Sequence, residues 1–401
     1  MFATYHLLTR NTVIRSSAIA IFLFGFAGAA TSPYMSLIGI GELGLSNAYY
    51  SILMLVAAFI NVSASVAGGI VADRLVDPRR PMLAASLFGV AGFAMVYLFP
   101  SAAVFVVASL LFIPIFGTVN ALIFANVRGV SSGMTVSELM AVNSAIRAVL
   151  SMSWILVPGL VGAALAGRES MLPSFLIAGF ACLGLTLLFA TSLPTRRPKP
   201  LEQGTEYAFL ASLRLIAKPD VALRLLAIAL ISSMLHVNGA VLPLIVTGKA
   251  GGNATDVGII VGIVAGLEVV FIVFWSWVEV RTSTVQSILF GSLVYCVYLF
   301  FLGRADSPAD VYYLTLVSGL GAAAIIAVPI TYLQNLIADR AGLGSSLIAV
   351  NVFLGGGLSS FLFAIGTAVS DYAGTAHLAA GAGLAGILLL LALDGYRKQR
   401  S

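Results

Sequence analysis

Residues Val257–Trp277 read VGIIVGIVAGLEVVFIVFWSW, an apolar run with one charged residue, Glu268, near its middle. The run is long enough for an α-helix to cross the hydrocarbon core of a bilayer. A carboxylate at that depth costs roughly 2.5–3.5 kcal/mol on insertion scales, so such residues usually have a function. One other run contains a comparable charge, because Arg147 interrupts Val136–Leu165. Opposite charges inside two spans indicate a polar path through a membrane protein.

The composition of the whole chain supports a membrane location. Of its 401 residues, 60% are hydrophobic and 9% are charged, whereas a soluble domain has about 25% charged residues. The net charge of +5 comes from basic residues scattered over short loops. This pattern fits contact with an anionic lipid leaflet, and we expect no nucleic-acid partner, which would need a continuous basic face. Cys182 and Cys296 lie inside apolar runs and are interpreted as small core residues.

Twelve apolar runs of spanning length predict an all-α membrane protein with twelve transmembrane helices. The continuous runs differ from the short alternating segments of a β-barrel. The predicted spans are Val13–Ile40, Ala48–Ala72, Met82–Phe99, Ala103–Val127, Val136–Leu165, Met171–Leu193, Val221–Val246, Val257–Trp277, Val285–Leu302, Val311–Ile337, Leu343–Val369 and His377–Leu393.

One long polar segment divides the chain into two halves of six spans. We predict an N-terminal six-helix bundle over residues 1–193, a cytoplasmic linker over 194–219 and a C-terminal six-helix bundle over 220–401. Apolar residues recur at helical spacing in the linker, which predicts an amphipathic helix on the membrane surface. They are Tyr207, Leu210, Leu213 and Ile216.

The two halves resemble each other weakly. Gly28 precedes Pro33 in span 1, and Gly239 precedes Pro243 in span 7, at an offset of roughly 210 residues. Two further pairs of residues share this order and offset, as expected of two parallel repeats.

Basic residues predict the orientation of the chain in the membrane. If both termini are cytoplasmic, 17 of the 21 Lys and Arg residues lie on the cytoplasmic side, three lie outside, and Arg147 lies within the membrane. We therefore expect a multi-pass protein of the inner (plasma) membrane with both termini in the cytoplasm.

The loop between spans 2 and 3 resembles the signature of the major facilitator superfamily, G-x-x-x-D-R-x-G-R-R/K. The matching residues are Gly69, Asp73, Arg74, Arg79 and Arg80. Val76 stands where the signature has its second glycine, and Asp77 and Pro78 form an insertion. The resemblance implies the major facilitator fold, with two pseudo-symmetric six-helix bundles. It also implies that Gly69, Asp73, Arg74 and Arg80 lock the cytoplasmic side as the halves move.

Five stretches resemble the sugar efflux branch of that superfamily. They are Gly28–Leu37, Arg147–Pro158, Pro243–Thr247, Ala265–Glu268 and Tyr332–Gly342. Members of the branch often have glycine before the span 5 proline, where this chain has Val157. The resemblance implies export of sugars or sugar-like solutes in exchange for protons.

Arg147 and Glu268 are the predicted coupling residues. By analogy with the superfamily, spans 5 and 8 lie side by side, so the two charges could pair. A carboxylate that loses its cation when the halves separate takes up a proton more readily, which is the change in affinity that coupling requires. The alternatives are a fixed ion pair that sets how the halves dock and a sodium site built on Glu268. Pro158 is assigned to gating, because proline bends a helix. The stretch Pro158–Gly162 also resembles an antiporter signature.

Substrate contacts are assigned to polar and aromatic residues within the spans. His236 and Asn238 come first, since histidine titrates near neutral pH and asparagine both donates and accepts hydrogen bonds. Ordinary hydrogen bonding between helices is the competing interpretation. The remaining candidates are Asn120, Asn143, Trp154, Tyr332, Gln334 and Asn351.

No pattern in the chain indicates an enzyme. There is no phosphate-binding loop, no zinc motif and no Cys-x-x-Cys pair, so we predict no cofactor, no metal and transport driven by an ion gradient. The preferred function is proton-coupled efflux of a sugar or sugar-like solute by alternating access. The alternatives are a proton-coupled exporter of drugs or amphipathic compounds and a membrane sensor or scaffold. No obligate protein partner is expected.

Overall fold

The computed structural model describes residues 12–74, 79–130, 134–168, 170–192, 218–336 and 341–394. Over these ranges the chain forms helices and turns, with no β-strand. We number the twelve long helices in chain order. They are α1 Thr12–Thr31, α2 Asn47–Arg74, α3 Arg79–Leu98, α4 (Ala102–Val107, Ala108–Phe112, Ile113–Gly117 and Val119–Val130), α5 Val136–Ala164, α6 Pro173–Ser192, α7 Pro219–Thr247, α8 Ala254–Arg281, α9 Thr284–Leu302, α10 Pro308–Asn335, α11 Ala341–Val369 and α12 Tyr372–Asp394.

Three of these helices begin at a capping box that is visible in the sequence. In each one, the N-cap side chain accepts from the backbone N–H of the third helical residue, and the acid at that position accepts from the backbone N–H of the cap. These reciprocal bonds satisfy backbone donors that the first turn leaves without partners. The pairs are Thr135 and Glu138 in α5, Asn253 and Asp256 in α8, and Ser307 and Asp310 in α10.

Several helices contain irregular turns within the span. Proline occurs inside α5, α7 and α10 at Pro158, Pro243 and Pro329, and each removes a backbone donor. The fourth helix has a π-helical segment at Ala108–Phe112, just before Pro114. Helix α1 continues directly into a 3-10 turn at Ser32–Tyr34 and, after two further residues, into a π-helical segment at Leu37–Glu42. Irregular turns of this kind are frequent near functional sites.

All twelve helices are long and apolar enough to cross a membrane. The predicted twelve spans are therefore confirmed, and the chain is a multi-pass membrane protein. The regular part of α1 ends at Thr31 rather than at the predicted Ile40, and the last helix begins at Tyr372 rather than at the predicted His377. Asp371 explains this early start, because its carboxylate accepts a hydrogen bond from the backbone N–H of Gly374 at 2.7 Å and caps the helix. The predicted helix in the 194–219 linker lies outside the described residues, which resume at 218.

The chain divides into two compact units. The first unit comprises residues 1–44 and 63–203, and the second comprises residues 45–62 and 204–401. In the first unit, the rings of Phe93 and Phe116 meet edge-on with centroids 5.7 Å apart, and Phe93 also lies 5.9 Å from Phe175. Phe93 and Phe175 are at most 1% exposed, so this aromatic group marks the core of the unit.

The second unit includes the first part of α2, which packs against α11. The rings of Phe59 and Phe353 are 6.1 Å apart, and those of Tyr50 and Phe363 are 5.7 Å apart. At the start of α2, the side-chain oxygen of Asn47 accepts a hydrogen bond from the hydroxyl of Tyr372 at 3.0 Å. Helix α7 is mostly buried within this unit, where it packs against α11 and α12.

Candidate functional site

Glu268 lies in the middle of α8, and its side chain is half-buried. Within the described part of the second unit, no side chain hydrogen-bonds or ion-pairs with its carboxylate. The acid therefore retains its full capacity to bind a proton or to accept hydrogen bonds from a ligand. Its position within the span agrees with the prediction from the sequence.

Two glycines of α10 determine which side chains surround Glu268. A Cβ added at Gly319 would lie 2.6 Å from the Cβ of Leu267, the residue before Glu268. A Cβ added at Gly321 would lie 2.8 Å from the backbone nitrogen of Tyr295. Both distances are too short for a real side chain, so glycine is required for α10 to approach α8 on one side and α9 on the other. Leu267, the neighbour of Glu268, and Tyr295 therefore contact α10 at positions two residues apart.

A chain of hydroxyl groups occupies the space between these helices. The hydroxyl of Tyr298 donates to the side-chain oxygen of Asn238 at 2.9 Å. The rings of Tyr295 and Tyr298 are 5.1 Å apart, and Ser318 is close enough to interact with both hydroxyls. We call Asn238, Glu268, Tyr295, Tyr298 and Ser318 the tyrosine cluster.

The tyrosine cluster contains three residues that sequence reasoning missed. Tyr295 and Tyr298 are 1% and 2% exposed, and Ser318 is 2% exposed. The available signal was the spacing of the two tyrosines, which stand three residues apart on α9 and therefore share one helical face. A buried tyrosine hydroxyl needs a hydrogen-bond partner, and the sequence does not show which helix supplies it.

A second polar group, the histidine group, joins α7 to α11. Nδ1 of His236 lies 3.0 Å from the backbone oxygen of Ser232, and the side-chain nitrogen of Asn351 donates to the Ser232 hydroxyl at 3.2 Å. A Cβ added at Gly355 would lie 3.7 Å from Cε1 of His236. Within the described part of the chain, the side-chain oxygen of Asn351 is buried without a hydrogen-bond partner. The structure thus brings together two of the predicted substrate contacts, His236 and Asn351.

Tyr332 belongs to a buried ion cluster at the helix ends. Its hydroxyl donates to Asp394 at 2.6 Å, and Asp394 also accepts two hydrogen bonds from Arg224, each at 2.8 Å. Arg224 is 3% exposed and also bonds Asp220 one turn earlier in α7. We call these four residues the arginine cluster. The structure therefore places Tyr332 near the end of α10 with its hydroxyl already bonded, and the exposed Gln334 follows it there.

In the first unit, Arg147 and Asn143 lie one turn apart on α5. The guanidinium carbon of Arg147 is 5.5 Å from the centroid of the Phe124 ring, which is a cation–π distance. Trp154 is half-buried, and a Cβ added at Gly28 of α1 would lie 3.7 Å from its ring. Because Arg147 and Glu268 belong to different units, their pairing stays a prediction.

Pro158 and Asn120 also lie in the first unit. The backbone oxygen of Pro158 accepts a hydrogen bond from the hydroxyl of Tyr34 at 3.0 Å, so the irregular end of α1 is joined to α5 at its proline. Among the described residues, Asn120 of α4 has a buried side-chain oxygen without a hydrogen-bond partner. The predicted gating and substrate roles of these residues are not tested by their positions.

Only part of the loop between α2 and α3 falls within the described chain. Gly69, Asp73 and Arg74 end α2, but their side chains and residues 75–78 lie outside the described part. Arg80 is exposed at the start of α3. Its neighbour Arg79 donates a hydrogen bond to the backbone oxygen of Ala190 in α6, which joins these two helices near the loop.

Twelve apolar helices of spanning length, one of them with a half-buried acid in its middle, are features of membrane transport proteins. The family model described as the Major Facilitator Superfamily matches residues 17–360. The chain belongs to this superfamily, so the predicted family and fold are confirmed. The fold and family are those of transporters, which are not enzymes.

Comparison with known proteins gives one relative and several similar folds. A protein of Deinococcus radiodurans named "Putative sugar efflux transporter" is 27% identical over 365 residues, which cover 86% of this chain and 88% of the relative. The crystal structure of nucleoside transporter NupG superposes with a TM-score of 0.81 at 14% identity, over 96% of this chain and all of that chain. A variant of the peptide transporter POT gives a TM-score of 0.77 at 14% identity over 94% of each chain. These two structures establish the similarity of fold.

Proposed function

We propose that the protein exports sugars or sugar-like small polar solutes in exchange for protons, by alternating access. The similarity to a relative named as a sugar efflux transporter supports the substrate class. The position of Glu268, half-buried in the middle of α8 and without an ion-pair partner in the described part of the second unit, supports proton coupling. Glu268 is the observation on which the proposal depends.

Glu268 couples the two reactions by binding a proton in one conformation and releasing it in the other. Coupling requires that the proton affinity of a group differ between two states of the protein. A half-buried carboxylate meets this requirement, because a small change in its access to water or in a nearby charge alters the stability of its ionised form. Arg147 provides that nearby charge in the conformation in which α5 and α8 approach each other.

Gating is assigned to the loop after α2 and to the irregular part of α5. Gly69, Asp73, Arg74 and Arg80 close the cytoplasmic side in this proposal. The hydrogen bond between Tyr34 and the backbone oxygen of Pro158 supports a role for Pro158 in gating, because it links the bend of α5 to the irregular end of α1. A shift of the bend is then transmitted to α1.

The substrate contacts follow from the two polar groups of the second unit. The histidine group presents His236 and the oxygen of Asn351, while Asn238 is half-buried on α7 next to the exposed Gly239. Sugars need hydrogen-bond donors and acceptors together, which histidine and asparagine supply. Asn120, Asn143 and Trp154 are proposed to contribute from the first unit. Tyr332 and Gln334 are not retained in this role, because they lie at the end of α10.

The test is efflux from vesicles that contain the purified full-length protein. Vesicles loaded with radiolabelled monosaccharides and disaccharides should release them faster when a proton gradient is imposed. Glu268→Gln should abolish this acceleration. Glu279→Gln is the matched control, because it makes the same change at the end of the same helix, where Glu279 accepts a hydrogen bond from Thr284.

Three other outcomes of this experiment would contradict parts of the proposal. Release of labelled drug-like cations without release of any sugar would favour a multidrug exporter. Dependence on sodium with no effect of the proton gradient would replace the proton by sodium. Full acceleration in Glu268→Gln would remove Glu268 from the mechanism.

Reporter fusions at both ends in a bacterial host should report cytoplasmic termini in the inner membrane.

A further inference from the structure

We propose that the histidine group binds an amino group of the exported solute, which makes amino sugars the preferred substrate class. This inference rests on the proposed function and narrows its range of sugar-like solutes. The histidine group consists of Ser232 and His236 in α7 and of Asn351 and Gly355 in α11. Two of its atoms are hydrogen-bond acceptors that have no donor within the described part of the chain.

The first free acceptor is Nε2 of His236. Nδ1 of this ring lies 3.0 Å from the backbone oxygen of Ser232. A backbone oxygen can only accept a hydrogen bond, so Nδ1 must carry the proton that it donates. A neutral imidazole has one N–H group, and Nε2 therefore keeps a free lone pair. Neutral His236 thus offers an acceptor at Nε2, and this atom becomes a donor only when the ring takes up a second proton.

The second free acceptor is the side-chain oxygen of Asn351. Its side-chain nitrogen donates to the hydroxyl of Ser232 at 3.2 Å. Asn351 is 6% exposed, and among the described residues its oxygen has no hydrogen-bond partner. A buried acceptor of this kind needs a donor from outside the protein. Because Ser232 bonds His236 through its backbone and Asn351 through its side chain, both free acceptors belong to one compact group.

The structure leaves space for a ligand next to His236. This residue is exposed although it lies in the middle of α7, a helix that is mostly buried. Gly239, one turn further on, is also exposed, and a Cβ added there would meet no described atom within 4 Å. A titratable side chain inside a span usually faces a water-filled cavity or the interior of the bundle. A solute can therefore reach the ring from the face that carries His236 and Gly239.

An amino group matches this pair of acceptors better than a hydroxyl group does. A protonated amine has three N–H donors and no acceptor, whereas a hydroxyl group donates only once and leaves one of the two acceptors unpaired. The charge of the second unit also favours a cation. Glu268 is the one charged residue in the middle of the described spans of this unit, and it has no ion-pair partner there. Charges within a membrane are stabilised by an opposite charge in the same polar path.

Protonation of His236 opposes the binding of an amine. A second proton occupies the lone pair of Nε2 and gives the ring a positive charge. The ring can then no longer accept a hydrogen bond from the amine, and it repels the positive charge. Binding of the solute and binding of the proton therefore exclude each other at this atom, which is the relation that exchange requires.

The neighbouring helices bring no cation that could take the place of the amine. Helix α11, whose Gly355 contacts the ring, contains no ionisable residue. In the middle of α8 and α9, the ionisable residues are Glu268, Tyr295, Cys296 and Tyr298. Apart from His236, the ionisable residues of α7, α10 and α12 lie within two turns of a helix end.

The first experiment measures the binding of radiolabelled glucosamine and glucose to the purified full-length protein by equilibrium dialysis. At pH 7, glucosamine should bind about tenfold more tightly, because its hydrogen bonds are charge-assisted. From about pH 7 to pH 5, a range in which the amine stays protonated, its Kd should rise by up to about tenfold per pH unit as His236 takes up a proton. The Kd of His236→Gln should not change with pH, because glutamine does not titrate.

Two further variants complete this experiment. Asn351→Leu should bind glucosamine no more tightly than glucose, because the second acceptor is gone. His377→Gln is the matched control, because it makes the same change as His236→Gln near the start of α12, where the ring lies 3.0 Å from the backbone oxygen of Phe300. It should bind both sugars as the wild type does. Thermal unfolding shows whether each variant is folded.

The second experiment needs no substitution at the site, because it observes the His236 ring in the wild type. The chain has three histidines, so ¹⁵N-labelled histidine gives few signals, and His6→Gln and His377→Gln identify the other two. Nuclear magnetic resonance should show the proton of neutral His236 on Nδ1. Addition of glucosamine should shift the Nε2 signal, and a lower pH should then be needed to protonate the ring.

Three results would overturn the inference. They are a neutral His236 with its proton on Nε2, glucosamine that binds no more tightly than glucose, and a preference for glucosamine that survives in both His236→Gln and Asn351→Leu. Proton-driven efflux of glucose without any preference for glucosamine would refute the amine site and leave the proposed function standing. Binding of glucosamine as expected, without efflux of any sugar, would support the site and refute the proposed transport.

Discussion

Replacement of Gly321 by alanine tests whether α10 has to approach α9 as closely as the structure shows. The added Cβ would lie 2.8 Å from the backbone nitrogen of Tyr295, 2.9 Å from its Cβ and 3.0 Å from its Cα. Backbone atoms cannot rotate away, so the helices must separate. Overpacking of this kind costs about 1–3 kcal/mol, against a gain in helix propensity of about 1 kcal/mol. We expect a net loss of up to about 2 kcal/mol in the free energy of unfolding.

The assay is thermal unfolding of the full-length protein in detergent, with Gly381→Ala as the matched control. A Cβ added at Gly381 in α12 meets no described atom within 4 Å, so that variant should gain up to about 1 kcal/mol. For units of roughly 200 residues, each kcal/mol changes the Tm by about 2–4 °C. The reasoning is refuted if Gly321→Ala unfolds at or above the Tm of Gly381→Ala.

Three further predictions concern charged groups. Arg224→Met should lower the free energy of unfolding by about 3–5 kcal/mol, because Asp394 loses the cation that neutralises it, and Asp394→Leu should cost less, because Arg224 keeps its bond to Asp220; the double variant should lose less than the sum of the two, and additive losses in thermal unfolding would contradict this. Arg147→Gln should abolish proton-driven efflux from vesicles and Arg147→Lys should retain part of it, whereas full efflux in Arg147→Gln would exclude the cation from coupling. The backbone N–H of Gly374 holds the pKa of Asp371 below its usual range, so the carboxylate stabilises the start of α12 above about pH 4 and loses this contribution as the pH falls through the lowered pKa. The difference in Tm between wild type and Asp371→Asn should shrink over that window, and a difference independent of pH would argue against the charge.

The fold could be predicted because each span depends on local composition. A run such as Val257–Trp277 must cross the membrane whatever its neighbours are, since its backbone groups can pair only within the helix. The same argument identified Glu268, because a charge inside such a run is visible without knowledge of packing. The start of α12 was missed by five residues, because Asp371 caps a turn that is poor in large apolar side chains.

The contacts of the site could not be predicted, because they depend on which helices meet. Tyr298 and Asn238 are 60 residues apart, and Tyr332 and Asp394 are 62 residues apart. In the sequence, Tyr332 and Asn238 are both polar residues within apolar runs. In the structure, Tyr332 belongs to the arginine cluster and Asn238 to the tyrosine cluster. The distinction arises from packing, and Gly321 is part of the reason, because its missing side chain lets α10 reach α9.

The bonds of α10 indicate where movement inside the second unit is possible. Near one end, the hydroxyl of Tyr312 donates to Asp256 at the start of α8, and near the other, Tyr332 donates to the Asp394 carboxylate that also binds Arg224. Between these two anchors, glycine contacts leave no room for α10 to approach α8 or α9 more closely. A helix held at both ends and tightly packed in the middle is poorly suited to shift when one proton binds. Side chains can still change rotamer within such a frame, so a response to a proton on Glu268 inside this unit should begin with side-chain movement and change the position of α10 only afterwards.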